Sequence, residues 1–293
     1  RNIESAEQLS TLFADAASED AFRCVDVEGG LVNRLRDLLG EIPSAGSVGR
    51  TRRRALYEQH GRLIGNAVRL LGFTASAMPE EVATYGEAFL RGLAKARVLG
   101  VGKHFPGLGG GRLDSHLDLP FIHRSWDQLW NQDLLPYRRL IRRLPMVMIS
   151  HAAFPQVTGD SIPASISSYW ITDVLLRKLR YRGIALSDDM EMGGILSQVT
   201  IEEAVVRAIA CGTDIIEICH SPELIFRAYE ALLTEAERSR AFEKRVRVAA
   251  RKIVCVKRKL PAPPAKPPGA KQVESFREQL RKFCHAVQRA GSS

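Results

Sequence analysis

Short apolar runs that each end in polar residues, with amphipathic stretches between them, constrain this chain more than any other feature. Five runs read as strands, over residues 21–26, 98–104, 146–151, 183–188 and 214–219. Between them apolar positions recur at helical spacing, over 58–71, 80–96, 125–144, 168–178 and 201–211. Thr200 is placed to cap the last of these helices, and Glu202-Glu203 put negative charge in its first turn. Strands alternating with helices build βα units on a parallel sheet. The strand ends carry Asp26, Lys103-His104, His151, Ser187-Asp188-Asp189 and Cys219-His220. In a (β/α) barrel such ends converge on one face, whereas a doubly wound sheet binds ligands across a switch point. Polar residues at five strand ends favour the barrel.

The chain has 293 residues, 45% of them hydrophobic, enough for a substantial core. No apolar stretch approaches the length of a membrane span. The five cysteines are odd in number, widely spaced and lack a Cys-x-x-Cys pair. That pattern fits reduced thiols in a cytoplasm-like compartment rather than a disulfide framework or zinc site. Cys24, Cys211, Cys219 and Cys255 lie in apolar runs and read as buried fillers. The net charge of +9 gathers in residues 50–54, 138–143 and beyond Arg238. Basic helix faces of this kind are usually solvated, so no nucleic-acid partner is expected, and an anionic substrate is the milder explanation. Arg1 is not a methionine, which leaves open an upstream start and a removed signal.

Three parts are expected: a barrel over 1–259, a stiff Pro-rich linker over 260–272, and a C-terminal amphipathic helix within 273–293. On that helix, read over 274–290, Phe276, Leu280, Phe283 and Val287 form one stripe, suited to docking on the barrel surface.

The chemistry concentrates in two places. Lys103-His104 close the second strand, and Gly107, Gly109, Gly110 and Gly111 follow, a density that weakens regular structure. This reads as a loop that moves over a ligand. It leads to Asp114-Ser115-His116, where a carboxylate can orient an imidazole for proton transfer. Alone, that triplet is more simply a turn or cap; after Lys103-His104 and the glycines, the acid/base reading gains weight. Asp188 ends an apolar strand beside Asp189, and suits a nucleophile, a metal ligand or a hydrogen-bond acceptor. Capping of the next helix is the alternative, and Asp189 fits that role better than Asp188.

Four segments occur in order: Asp26-Val27-Glu28-Gly29-Gly30-Leu31-Val32-Asn33-Arg34, Lys103-His104-Phe105-Pro106-Gly107, Asp114-Ser115-His116 and Ser187-Asp188-Asp189-Met190-Glu191-Met192. Pro163-Ala164-Ser165 lies between the last two. Together they resemble glycoside hydrolase family 3, in its bacterial β-N-acetylglucosaminidase branch that trims peptidoglycan fragments. The resemblance runs from residue 1 to about 255. It implies a (β/α)8 TIM-type barrel with a C-terminal helical extension. The family's first two barrel strands would precede Arg1, so the barrel is expected to be incomplete here.

The resemblance also implies a retaining mechanism without metal or organic cofactor. By carry-over, Asp188 is the nucleophile, His116 the acid/base and Asp114 its orienting carboxylate, while Asp26, Arg34, Lys103 and His104 bind sugar. The implied substrate is a GlcNAc-containing muropeptide or chitooligosaccharide-like molecule. Two departures stand out. Leu108, Gly110 and Gly111 replace a His, an Asp and a Thr of the family loop. Residues 71–80 stand where the family has a strand and an arginine-bearing loop, and both are expected to be absent. Hydrolysis leads two alternatives. Phosphorolysis is one, since a histidine acid/base does not repel an incoming phosphate dianion. A non-catalytic sugar- or muropeptide-binding protein is the other, although such a binder needs no nucleophile opposite an acid.

Overall fold

The computed structural model describes residues 3, 5–15, 23–78, 85–109, 118–262, 264 and 266–291. Helix α1 (Ala6–Asp15) precedes strand β1 (Cys24–Val25), the hairpin β2 (Val27–Gly29) and β3 (Val32–Asn33), and helices α2 (Arg36–Leu39), α3 (Ala45–Arg50) and α4 (Arg54–Leu70). Strand β4 (Ala75–Met78), helix α5 (Gly86–Lys95) and strand β5 (Leu99–Phe105) follow. Next come α6 (Trp126–Asn131), α7 (Leu135–Leu140), β6 (Met146–Ile149) and α8 (Pro155–Thr158). A 3-10 turn (Ala164–Ile166) and a π-helical stretch (Tyr169–Lys178) lead to β7 (Ile184–Asp189). The chain closes with α9 (Gly193–Leu196), α10 (Ile201–Cys211), β8 (Ile215–Glu217), α11 (Pro222–Arg238), α12 (Arg240–Lys257) and α13 (Ala270–Gly291). Two compact units form: Arg1–Val101 with Lys257–Ser293, and Gly102–Val256.

In the first unit β1 pairs parallel with β4, Cys24 opposite Ala75 and Val25 opposite Ser76. The Leu99 N–H donates to the Thr74 carbonyl at 2.9 Å and brings in the start of β5. The strand expected to be missing from 71–80 is therefore present. Its small side chains allow complete burial: Ala75 and Ser76 are inaccessible, and the Ser76 hydroxyl donates to the Val27 carbonyl at 3.1 Å. Residues 79–84, in the passage where the family has its arginine, lie outside the described residues.

Helices α4 and α5 meet with their backbones nearly touching. A Cβ on Gly92 would stand 2.3 Å from the Glu58 carbonyl oxygen, so only glycine permits this approach. The expected stripe of α13 is buried, with Phe276, Leu280, Phe283 and Val287 all inaccessible. It packs on α2, α3 and α4. Beneath it lies His60, fully buried, with its ring stacked on Phe283 at 5.8 Å and edge-on to Phe89 at 5.5 Å.

In the second unit β6 and β8 flank β7, both in parallel, with Ile149 opposite Ser187 and Asp189 opposite Glu217. Residues 184–187 of β7 are buried without alternation, as expected of a parallel strand covered on both faces. Ile166, Met190, Ile195, Ile201, Val205 and Ala228 form one apolar cluster above it. Thr200 caps α10 as expected, its side chain accepting from the Glu203 N–H at 3.3 Å. The helix read over 125–144 is two: the Ser125/Gln128 capping box starts α6, and Pro136 opens the first turn of α7. At the beginning of β8 the inaccessible Asp214 carboxylate binds Arg245 at 2.7 Å, Lys252, and the Ala185 N–H at 3.0 Å. These bonds fasten α12 to β7 and β8. No disulfide joins the described cysteines; Cys24, Cys219 and Cys255 are exposed and Cys211 half-buried, so the expected filling role is not found. No helix among the described residues is long and apolar enough to cross a membrane.

Burial pushes the His60 imidazole down to about 4, with the Pro43 carbonyl beside it working in the opposite sense. A buried neutral histidine titrates near 6.5 once unfolded, so between those values the unfolded chain binds more protons. The stabilisation is complete above pH 6.5 and is lost as pH falls toward 4, by about 3 kcal/mol in all. Urea unfolding across this window should show that slope in the native protein and a flatter one in His60→Leu. Equal slopes would place the acid sensitivity elsewhere.

Candidate active site

Parallel strands deliver their C-terminal ends to a common edge, and in the second unit those ends carry the chemistry. The Ser150 N–H donates to the Phe105 carbonyl at 2.9 Å, aligning the end of β5 with that of β6. Lys103 and His104 close β5, and Asp188 and Asp189 close β7. The Lys103–His104 and Phe105–Pro106 peptide bonds are cis.

The Asp188 carboxylate is largely covered, its side chain 15% exposed. Oδ1 accepts the Asp189 N–H at 3.0 Å, and Oδ2 faces His104 Nε2 at 3.9 Å. An oriented carboxylate at a strand end, with an imidazole beside it, can attack an electrophilic carbon or accept hydrogen bonds. Beneath it lies His151, wholly buried just beyond β6. His151 Nδ1 is 2.8 Å from Ser165 Oγ, and Nε2 is 3.0 Å from the Asp189 carbonyl oxygen. Burial pulls the imidazole below its ordinary range, while the nearby Asp188 charge opposes that shift. The 3-10 turn reaches this place through backbone bonds: the Ser165 N–H donates to the Ser150 carbonyl at 3.1 Å, and the Ala164 N–H to the Ala152 carbonyl at 2.8 Å.

The second carboxylate has a different task from the one expected. Helix α9 starts at Gly193 behind Met192, with no side-chain cap, so Asp189 does not cap it. Asp189 Oδ1 instead accepts from the Glu191 N–H at 3.1 Å and the Cys219 N–H at 3.3 Å. Glu191 completes the clamp: its oxygens accept from Cys219 N–H at 2.7 Å, His220 N–H, and Ser221 N–H at 2.8 Å. Burial would raise the Glu191 carboxyl, but these three N–H groups and His220 hold it below the usual range. Asp189, Glu191 and His220 have ligand atoms within 4.8 Å of one another, a cation-sized cluster. Their oxygens already serve the backbone of the turn after β8, so the cluster acts as a loop clamp.

Asp114 and His116 fall in 110–117, outside the described residues. Gly107 and Gly109, ahead of those residues, lie against Asp133, itself bonded to Arg124. A Cβ on Gly107 would stand 2.5 Å from the Asp133 Cβ, and the φ of +138° there also suits glycine. Asp26 and Arg34 belong to the first unit. They join at the base of the β2–β3 hairpin, where the Arg34 N–H donates to the Asp26 carbonyl at 3.3 Å. The sequence put Lys103, His104 and Asp188 at strand ends, and there His104 Nε2 lies 3.9 Å from Asp188 Oδ2. It left His151, Ser165 and Glu191 without roles; the only signals were a histidine at a strand end, Pro163-Ala164-Ser165, and a glutamate three residues after Asp188.

Residues 72–256 match the family described as Glycosyl hydrolase family 3 N terminal domain. A Beta-hexosaminidase of Idiomarina loihiensis is 32% identical over 248 residues, covering 75% of this chain and 74% of its own. A Beta-hexosaminidase of Stenotrophomonas maltophilia is 32% identical over 262 residues, covering 79% and 77%. A solved glycoside hydrolase family 3 beta-N-acetylglucosaminidase from Paenibacillus sp. str. FPU-7 is similar with a TM-score of 0.81 at 27% identity. That match covers 94% of this chain and 60% of the Paenibacillus chain, so this chain spans less than two thirds of it. The α/β barrel-type fold expected from alternating strands and helices is the fold these comparisons bear out.

Glu191→Ala should leave the His220 and Ser221 amides without their acceptor and the Cys219 amide with Asp189 alone, costing about 1–3 kcal/mol. Hydrogen exchange should accelerate at Cys219, His220 and Ser221; unchanged exchange would mean that other contacts hold the loop.

Proposed function

The chain belongs to glycosyl hydrolase family 3, and from that membership we propose that it is a retaining exo-β-N-acetylglucosaminidase. It releases terminal β-linked GlcNAc from peptidoglycan-derived fragments, as a cytoplasmic enzyme of cell-wall recycling. The observation that carries the reading is Asp188, a carboxylate held by the next backbone N–H at the end of β7 and facing His104 at 3.9 Å.

In this reading an Asp188 oxygen attacks the anomeric carbon while the glycosidic C–O bond breaks. The leaving oxygen takes a proton from His116, which Asp114 orients. His116 then accepts a proton from water as that water attacks the glycosyl-enzyme ester. The bond to Asp188 breaks and GlcNAc leaves with its original anomeric configuration. Lys103 and His104 supply charge-assisted hydrogen bonds to the sugar. Two relatives named Beta-hexosaminidase and the similar Paenibacillus beta-N-acetylglucosaminidase support the GlcNAc-type substrate.

The test is hydrolysis of an aryl β-N-acetylglucosaminide. Asp188→Asn should lose on the order of 10⁶-fold in kcat, the scale of a deleted nucleophile. His116→Ala should lose about 10²–10⁴-fold on a substrate with a poor leaving group, and less on a nitrophenyl glycoside that departs without a proton. Activity surviving in both variants would remove these assignments. Free GlcNAc should form equally with and without inorganic phosphate; a sugar phosphate would replace hydrolysis by phosphorolysis.

A further inference from the structure

His151 takes no part in the steps above, yet it touches the peptide that follows the two aspartates. The Asp189 carbonyl can only accept a hydrogen bond, so the proton in the 3.0 Å contact belongs to His151 Nε2. Burial disfavours the charged ring, so the imidazole is neutral and Nδ1 carries a lone pair. The 2.8 Å contact with Ser165 is then a hydroxyl donating to Nδ1. These bonds run in one direction, from the Ser165 O–H through the ring to the Asp189 carbonyl, and they select one tautomer.

The same peptide unit is held from its other side. The Met190 N–H donates to the Glu217 carbonyl at 2.9 Å. With both its C=O and its N–H engaged, the plane between Asp189 and Met190 cannot rotate without breaking a buried hydrogen bond. One residue earlier, the Asp189 N–H holds Asp188 Oδ1 at 3.0 Å. The orientation of the Asp188 carboxylate thus depends on a backbone whose next peptide is locked. A histidine serving only to fill the core would not need a serine hydroxyl to choose its tautomer, nor contact the backbone beside the reactive carboxylate.

We propose that His151, held in one tautomer by Ser165, is a positioning residue for Asp188, acting through the Asp189–Met190 peptide. The inference rests on Asp188 as nucleophile. It predicts a defect in the chemical step rather than in sugar binding, because neither His151 nor Ser165 is among the residues assigned to hold sugar.

The full chain is assayed as four variants beside Asp188→Asn, with kcat, KM and the thermal midpoint measured for each. Ser165→Ala and His151→Leu should lower kcat by about 10²-fold with KM nearly unchanged, the effect of a misplacement of about 1 Å. His151→Gln, whose amide can still donate to the Asp189 carbonyl, should recover roughly tenfold over His151→Leu. Ser165→Thr, which keeps a hydroxyl, should recover kcat over Ser165→Ala. If His151→Leu does not fold, Ser165→Ala and His151→Gln carry the decision. Native kcat in Ser165→Ala, a loss expressed in KM alone, or a His151→Gln no better than His151→Leu would each overturn the inference. Those results with an inactive Asp188→Asn refute only the positioning role; an active Asp188→Asn refutes the nucleophile assignment itself.

Discussion

The peptide between Asp189 and Met190 is the joint on which the second unit's reactive edge is assembled. Its carbonyl meets His151 from the end of β6, and its N–H meets the Glu217 carbonyl at the end of β8. Three neighbouring strands are thereby tied at their C-terminal ends by hydrogen bonds. The side chains on either side of the joint divide the work. Asp188 stays at the open edge, while Asp189 and Glu191 turn away to hold the backbone of residues 219–221. Two adjacent carboxylates of the same composition thus serve different ends, because one meets an imidazole and the other a row of N–H groups.

At the other end of these strands lies a different kind of fastening. Asp214, inaccessible to solvent, is bound by two cations and a backbone N–H. Removing one partner from a buried ion pair typically costs several kcal/mol, because the remaining charge stays buried and uncompensated. Stability is thus concentrated at the beginnings of the strands and chemistry at their ends, the division usual in barrel folds. In the first unit apolar packing does the comparable work, with α13 laid over His60 through Phe283.

Much of this was legible in the sequence, and the exceptions share a cause. Runs such as 146–149 and 184–188 are long enough and sufficiently β-branched or apolar to identify themselves as strands. Ala75-Ser76-Ala77-Met78 has no such signature and becomes a strand because Cys24-Val25 pairs with it. Asp189 resembled a helix cap because it precedes a helix, but three residues lie between it and the start of α9. Its hydrogen-bond donors come from Glu191 and from a residue thirty positions away. Cys24, Cys219 and Cys255 sit in apolar neighbourhoods along the chain and are nonetheless exposed, since adjacency in sequence does not decide which face looks inward.

Local periodicity and the ordered motifs determined the α/β class, the family, and the placing of Lys103, His104 and Asp188 at strand ends. These follow from a pattern of period and chemical type that is written in consecutive residues. Only the tertiary structure decided that His151 lies under Asp188, that Ser165 meets its Nδ1, and that Glu191 grips the turn after β8. Each of those depends on hydrogen bonds between residues 14 to 38 positions apart. Such bonds form only where the parallel register of the strands brings the groups within reach, and no spacing along the chain encodes that register.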